Sequence, residues 1–294
     1  MVQHVFSPES SGSLLICSNL LKQSCINPKF KAVTKNHRYL EIPRSRIPTF
    51  DVYAAGLKRH HVSAMLEFDV TSGRKRLREL KRKGQQVSFT AWMIKAIAKT
   101  LELHPEAAAY RCGKKRLMVF DQIRISLMVE KTISGKRVPI PLIIDKANEK
   151  TLTEITREIE NAKTLKLSEK GVVLDQKPSF YERMYFHLPG FLRRSVWQFF
   201  RRNPAMAYRK AGNAVITSLG MMGRINGWFI PRTIHPIAFG IGSVIPKPVV
   251  ADKETKPAEV LNMTILFDHD VIDGAPMVRF LKTLNGFIEN AGEM

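Results

Sequence analysis

The chain has 294 residues, 44% of them hydrophobic, which is enough to bury a sizeable core. Its apolar runs fall short of the roughly 18 residues that a membrane-spanning helix needs. The N-terminal SLLICSNLL has no cationic leader, which argues against a signal peptide. Lysine and arginine total 47 against 26 aspartates and glutamates, a net charge of +21. A field of that sign attracts nucleic acid, acidic lipid surfaces or acidic proteins.

The cysteines and histidines give no sign of a metal site. The three cysteines lack metal-ligand spacing and cannot all pair: Cys17, Cys25 and Cys112. His60 and His61 are adjacent and would point apart on a helix, and strand alternation would separate the side chains of residues 268–270. We therefore expect no metal, and a reducing, cytoplasmic setting.

Residues 1–40 are polar and irregular, which predicts an N-terminal arm before one domain over 41–294. Hydrophobic periodicity and the positions of Gly, Pro and capping residues predict the following elements: a strand over 62–71, a helix over 74–84, a helix capped by Ser88 and stopped by Pro105, a pair of strands within 117–131 with a turn over 131–137, a strand over 138–145, and a helix over 151–167 capped by Thr151 or Thr153. Pro139 and Pro141 place their strand at a sheet edge or at a bulge.

The segment over 168–210 differs in composition from the rest of the domain. From residue 176 onward it holds eight Lys and Arg residues against one Glu, interleaved with aromatic side chains. A basic helix with an aromatic face is typical of sequences that bind anionic membrane surfaces or acidic partners. The other reading is that the aromatic residues pack onto the domain and the arginines are solvated. A nucleic-acid partner is not expected, because no recognisable nucleic-acid-binding motif is present.

The stretch over 261–287 changes its hydrophobic period from that of a strand to that of a helix. Residues 261–267 alternate as in a half-buried strand, and after Gly274 apolar residues recur at helical spacing: Met277, Val278, Leu281, Leu284 and Ile288. His269 is therefore predicted at a strand end, with Asp273 and Gly274 in the turn before a helix. Chemistry is often placed in such loops, although a lone histidine there is more often structural and Asp-Gly is a common turn dipeptide.

The string FDHDVIDG, with His-x-x-x-Asp-Gly between strand and helix, resembles the active-site motif of coenzyme A-dependent acyltransferases. This superfamily includes chloramphenicol acetyltransferase and the dihydrolipoamide acyltransferases of 2-oxo-acid dehydrogenase complexes. Four further segments resemble the second group: MLEFDVT, SFTAWMIKAIAKTLELHPE, VPIPLIID with its helix, and AVITSLGMMG. The resemblance runs from about residue 41 to the C-terminus. It implies an α/β fold, a two-layer sandwich with a mixed sheet.

The resemblance also implies a mechanism. Acyl transfer needs a base for the attacking group and donors for the oxyanion. His269 matches the family's base, and Thr217 matches a hydroxyl that meets the oxyanion. Asp273 is expected to brace the loop through a buried ion pair or hydrogen bond, and Ser218 and Gly220 are expected to contact coenzyme A. The family's site lies between the subunits of a trimer, so a homotrimer is expected.

Several departures from the family bear on the acceptor. About 40 residues precede the domain, too few for the lipoyl and subunit-binding domains of the dehydrogenase members. We therefore expect a standalone chain without a covalently bound lipoyl group, and read Lys146 as a surface lysine. Asp270 stands where the family commonly has Arg, Ala108 where it often has Asn, and His235 falls in the segment before the site. These changes leave acyl transfer possible and put a dihydrolipoyl acceptor in question.

Two hypotheses follow. In the first, the chain is an acyltransferase that uses acyl-coenzyme A and a thiol, hydroxyl or amine acceptor, or a lipoyl domain supplied by another chain. In the second, it is a catalytically inactive family member that serves as an oligomeric scaffold or binds an anionic surface, peripheral to a membrane. The intact histidine motif and Thr217 favour the first hypothesis. The basic segment within 176–210 favours the second or an altered substrate.

Overall fold

The computed structural model describes residues 38–42, 46–133, 136–164, 184–185, 187–219, 223, 225–251 and 254–290. The chain divides into two compact units, residues 1–43 and 44–294. The described residues of the first unit, 38–42, are neither helical nor extended into a strand. The elements that follow all belong to the second unit.

The helices are α1 (Ile47–Gly56), α2 (Thr71–Arg82), α3 (Phe89–Leu103), α4 (Leu152–Thr164), α5 (Gly190–Arg202), α6 (Pro204–Ala211) and α7 (Gly274–Glu289), with a 3-10 turn at Pro105–Ala108. The strands are β1 (His61–Asp69), β2 (Tyr110–Cys112), β3 (Arg116–Met118), β4 (Ile125–Ile133), β5 (Lys136–Ile144), β6 (Ala214–Ser218), β7 (Ile237–Ala251) and β8 (Glu254–Asp268). Each helix in this described part of the chain is too short or too polar to span a bilayer.

Six strands form one mixed sheet in the order β1-β8-β7-β6-β4-β5. Strand β8 pairs antiparallel with β1 and with β7, whereas β6 lies parallel to both β7 and β4. Strand β5 pairs antiparallel with β4 and occupies the edge, as its two prolines predict. The predicted turn over 131–137 is partly wrong, because β4 continues to Ile133 and β5 begins at Lys136.

Helices α2, α3, α4 and α7 share one continuous apolar core with alternate side chains of the sheet. At its centre lies α3, where Trp92, Ile94 and Ile97 are almost completely buried. The predicted two-layer α/β sandwich with a mixed sheet is confirmed. Since β8 lies between β1 and β7 and leads directly into α7, the turn after β8 has a fixed place at one end of the sheet.

Local capping residues act as predicted at two helices. The Ser88 hydroxyl accepts a hydrogen bond from the Ala91 N–H at 3.2 Å at the start of α3. At α4, Thr151 and Glu154 form a reciprocal pair in which each side chain accepts from the other residue's N–H. This is a capping box, which satisfies two backbone donors that a helix start would otherwise leave free.

Strand β8 is not half-buried as its alternation predicts, because both faces are buried from Val260 to Asp268. One face joins the helical core. The other is covered by residues 225–229, since the Asn262 amide donates to the Asn226 side-chain oxygen at 3.2 Å. A Cβ at Gly240 of β7 would lie only 3.0 Å from the Phe229 carbonyl oxygen, so glycine is needed for this close approach. Alternation in the sequence shows which side chains of a strand are polar. It does not show that a segment from elsewhere in the chain covers the second face.

Two helix predictions were also wrong in detail. Helix α2 begins at Thr71, three residues early, because the Asp69 carboxylate accepts the Thr71 N–H at 2.8 Å and so supports an earlier start. On α7, Phe280 belongs to the buried face, whereas Val278 is exposed and Leu281 lies at its margin. A period of 3.6 allows either neighbour to face the core, and packing against the sheet selects Phe280.

Candidate active site

The turn over 269–273 joins β8 to α7 and carries His269. Three backbone hydrogen bonds fix it. The His269 N–H donates to the His60 carbonyl at 2.9 Å, the Val271 N–H to the Asp268 carbonyl at 2.9 Å, and the Asp268 N–H to the Pro236 carbonyl at 2.9 Å. The chain positions of these partners show that the turn is held by the segment before β1 and the start of β7.

A buried ion pair between Arg59 and Asp268 lies directly behind this turn. The side chains are only 12% and 3% exposed, and the Arg59 guanidinium also lies 5.6 Å from the centroid of the Tyr110 ring. The sequence around Arg59 does not indicate this role, because an arginine before two histidines gives no sign of a partner 209 positions away. It is the main site feature that the motif alone could not reveal.

Asp270 has its own partners on other segments of the chain. Its carboxylate accepts a hydrogen bond from Arg111 at 2.9 Å and contacts His60 Nδ1 at 3.0 Å. The hydrogen bond with His60, helped by the charge of Arg111, lowers the pKa of Asp270. The Arg111–Asp270 pair is therefore a second ionic contact at the turn, and Asp268 and Asp270 each have separate partners. Within the described residues, no cluster of three potential ligands could hold a metal.

The His269 ring itself is half exposed, at 49%. Its Nδ1 lies 3.8 Å from the Asp273 carboxylate, which is too long for a hydrogen bond. The Asp273 side chain is 87% exposed, so the expected buried brace is not formed by Asp273 in the single chain. The buried ion pair at this turn is made by Asp268 instead, because Asp268 still belongs to the sheet whereas Asp273 lies at the exposed start of α7.

Thr217 lies far from His269 within one chain. In the sheet, Thr217 of β6 is opposite Gly240 of β7, and Gly240 is opposite Thr264 of β8. His269 is five residues beyond Thr264, so the two sites are separated by roughly 16 Å along the strand and roughly 10 Å across two strand spacings. The structure therefore does not bring the two predicted catalytic side chains together in a single copy.

Ser218, the last residue of β6, lines a cavity of about 410 Å³. Arg74 and Lys163 lie at the same cavity, and they also pair with Glu259 at 3.0 Å and Glu160 at 2.9 Å respectively. These exposed pairs are weak, so both cations can turn toward a bound anion. Gly220 lies outside the described residues.

His235 and His61 form a second polar group behind the turn. His235 Nε2–H donates to the Ala211 carbonyl at 2.9 Å, and the Thr233 hydroxyl donates to Nδ1 at 2.7 Å. His61 Nε2–H donates to the His235 carbonyl at 3.0 Å. Burial lowers the pKa of His235 to about 4 and lowers the pKa of His61 as well. Both rings are therefore neutral at pH 7 and serve to hold the backbone.

The family of the chain is shown by a match that extends well beyond any single motif. The family model for 2-oxoacid dehydrogenases acyltransferase (catalytic domain) matches residues 53–174 and 207–294, which is well over half of the chain. The chain belongs to this family. Both His269 and Thr217 lie within the matched residues of the acyltransferase domain, and all of α5 lies in the gap between the two matched ranges.

Curated relatives and solved structures agree with this. The dihydrolipoyllysine-residue acetyltransferase component of the pyruvate dehydrogenase complex of Haemophilus influenzae is 27% identical over 213 residues, covering 72% of this chain and 31% of the relative. The succinyltransferase component of the 2-oxoglutarate dehydrogenase complex of Staphylococcus epidermidis is 26% identical over 212 residues, covering 72% and 41%. The chain therefore spans less than half of either relative.

For the fold, a probable dihydrolipoamide acetyltransferase from Listeria monocytogenes superposes with a TM-score of 0.63 at 17% identity, covering 89% of this chain and 99% of that one. A truncated catalytic core of the 2-oxoacid dehydrogenase complex from Thermoplasma acidophilum gives 0.61 at 20% identity, covering 87% and 100%. At these identities the likeness establishes the fold, which is that of the acyltransferase cores.

The buried histidines predict how the stability of this acyltransferase domain depends on pH. The pKa of His235 is about 4 when folded and near 6.5 when unfolded, so between these values only the unfolded chain takes up the proton. The free energy of unfolding should therefore fall as pH drops from 6.5 to 4, by up to about 1.4 kcal/mol per pH unit for this histidine. His235→Gln should reduce that slope in urea unfolding at pH 7, 6 and 5. Equal slopes for both proteins would contradict the assignment.

Proposed function

We propose that this chain transfers an acyl group between a coenzyme A thioester and a thiol, hydroxyl or amine acceptor, with His269 as the general base. The observation that carries the proposal is the placement of His269 within the matched family domain. Its backbone is fixed by hydrogen bonds on both sides, while its ring stays half exposed. A base must be held rigidly and still reach the proton that it removes.

The residues support a balanced sequence of steps. His269 removes the proton from the acceptor S–H, O–H or N–H as the acceptor atom bonds to the thioester carbonyl carbon. The carbonyl electrons move to oxygen and form a tetrahedral oxyanion. When the carbonyl reforms, the C–S bond breaks, and the protonated His269 returns its proton to the departing thiolate of coenzyme A. The hydroxyl of Thr217 stabilises the oxyanion by donating a hydrogen bond.

This mechanism requires a second copy of the chain. Because Thr217 lies two strands and five residues away from His269, their functional groups cannot meet at one acyl carbon within a copy. We propose a homotrimer in which His269 of one copy faces Thr217 of the next. Closed rings of identical interfaces are a common way to build such a shared site. Covering by a neighbour would also bury Asp273, which is exposed in the single chain.

The cavity beside Ser218 is the subsite that we assign to coenzyme A. It lies at the end of β6, next to Thr217, and its side chains include the hydroxyls of Ser88 and Thr90. Arg74 and Lys163 supply positive charge for phosphate groups. The curated relatives are named for the dihydrolipoyllysine residue, so a lipoyl domain on another polypeptide is one acceptor to test among thiols, alcohols and amines.

Replacing the base should slow turnover strongly without unfolding the protein. We expect His269→Ala to lower kcat for acyl-coenzyme A by about 10²- to 10⁴-fold, because proton transfer from the acceptor is lost. Thr217→Val should lower kcat by about 10²- to 10³-fold through loss of the oxyanion donor. Thiol release would be followed across an acceptor panel that includes dihydrolipoamide and a lipoyl domain.

The matched control is His187→Ala, which removes an exposed histidine far from the β8–α7 turn in sequence. It should keep wild-type turnover. Full activity of His269→Ala would eliminate His269 as the base. If the wild-type protein is inactive and also fails to bind coenzyme A in calorimetry, the enzyme proposal is wrong and the scaffold hypothesis remains.

We propose a second role for α5, as a contact to an anionic lipid surface. The side of this helix that carries Phe191 and Phe199 is open, with exposures of 62% and 52%, and Arg194 and Arg202 are exposed beside it. The opposite side packs on α1, where Arg193 bonds to Asp51 at 2.9 Å. The open side thus combines apolar rings with positive charge, which is the pattern of an interfacial helix.

Vesicle sedimentation tests the lipid contact. The protein should bind vesicles of phosphatidylcholine with phosphatidylserine more than phosphatidylcholine alone, and added salt should weaken binding. Phe191→Ser with Phe199→Ser should remove the binding. The control is Lys114→Ala with Lys115→Ala, which lowers the net charge by two on the exposed β2–β3 turn. This variant should keep most of the vesicle binding. If the double lysine variant loses vesicle binding and the double phenylalanine variant keeps it, binding depends on net charge alone and α5 is not the contact.

A further inference from the structure

A second cavity, of about 130 Å³, lies beneath α5 and is separate from the one beside Ser218. It is lined by side chains of α1, α5 and α6 and by residues near the sheet, and it is partly open to solvent. Its walls are formed largely by carbon atoms: Ala55, Tyr110, Trp197, Phe200, Ala207 and Ile234. Neither His269 nor Thr217 lines it, so it is not part of the proposed acyl-transfer site.

The polar groups of these walls are already engaged. The Tyr110 hydroxyl donates to the Gly212 carbonyl at 2.6 Å, and the Trp197 indole N–H donates to the Tyr185 hydroxyl at 2.9 Å. Arg59, which also lines the cavity, is neutralised by Asp268. An occupant would therefore meet aromatic and aliphatic surface here, and would gain little from hydrogen bonds to the walls.

Two further cations, Arg201 of α5 and Lys210 of α6, lie at the same cavity and are exposed. In the described part of the chain, neither forms an ion pair with a carboxylate. Two N–H groups of Arg201 bond to the Gln198 amide oxygen, at 3.1 and 2.9 Å, and leave its charge uncompensated. The nearby Asp51 is held by Arg193 and Tyr185. Apolar walls thus combine with unpaired positive charge at one place.

We propose that this cavity binds a small apolar carboxylate, with a body the size of a benzene ring or a short branched chain. A cavity of about 150 Å³ is known to accommodate benzene, which is close to the volume here. A carboxylate carries one negative charge and two coplanar acceptors, which suit the N–H groups of a guanidinium. Arg201 and Lys210 hold the carboxylate, and the body lies against Trp197, Phe200 and Tyr110.

The site adjoins the acyl-transfer turn without depending on it. Arg59 contacts both the cavity and Asp268, one position before His269. Binding of the carboxylate can be measured directly and needs neither turnover nor coenzyme A. Failure of the proposed transferase activity would therefore leave this inference standing, and failure of binding here would leave the transferase standing.

Benzoate is the probe, measured on the full chain by calorimetry and by saturation-transfer NMR, with benzyl alcohol as its neutral counterpart. We expect saturable benzoate binding and binding of benzyl alcohol that is at least about tenfold weaker, since a charge-assisted hydrogen bond is lost. Arg201→Gln with Lys210→Gln should weaken benzoate by about tenfold or more. Ala55→Leu, which fills the cavity from α1, should abolish binding.

The matched control is Arg202→Gln with Arg209→Gln, which removes the same charge from the same two helices outside the cavity lining. It should change benzoate affinity by less than about twofold. The inference is overturned if benzoate does not saturate, if benzyl alcohol binds equally well, or if the control weakens binding as much as the cavity variant. Thermal unfolding shows whether each variant is folded. If Ala55→Leu does not fold, the comparison of the two surface variants still decides the test.

Discussion

The ion pair between Arg59 and Asp268 is the contact on which the geometry of the candidate site depends. It joins a residue two positions before β1 to the last residue of β8, and so fixes the end of the sheet where β1 begins and β8 ends. A buried ion pair adds little net stability, but removing one partner typically costs about 3–5 kcal/mol because the other charge is left without compensation. Its main effect here is to hold one arrangement of the turn that carries His269.

Neighbouring polar contacts reinforce that arrangement from other sides. The His60 carbonyl accepts the His269 N–H, Asp270 binds Arg111, and the buried His235 holds the carbonyl that anchors His61. Together they fix the backbone and leave the imidazole of His269 available. Such a division, with rigid surroundings and one free reactive group, is what general base catalysis requires.

The sequence predicts the parts of this fold that local chemistry determines. Ser88, Thr151 and the prolines of β5 act on their own backbone or their immediate neighbours, so their effects can be read from a few residues. The His-x-x-x-Asp-Gly motif likewise places His269 between strand and helix. The coverage of both faces of β8 was missed, because residues 225–229 reach Asn262 from a different part of the chain. The Arg59–Asp268 pair was missed for the same reason, since only the completed sheet brings its members together.

The sheet also explains why one copy cannot bring the two proposed catalytic side chains together. Thr217 and His269 lie on different strands and at different levels, so the account rests on a site shared between copies. Its most direct test is to co-express His269→Ala and Thr217→Val chains with different tags, isolate the mixed oligomers and measure acyl-coenzyme A turnover. Each mixed trimer should contain one intact site, about a third of the wild-type number, built from the intact His269 of one chain and the intact Thr217 of another. Mixed oligomers no more active than the two parent variants would contradict a shared site.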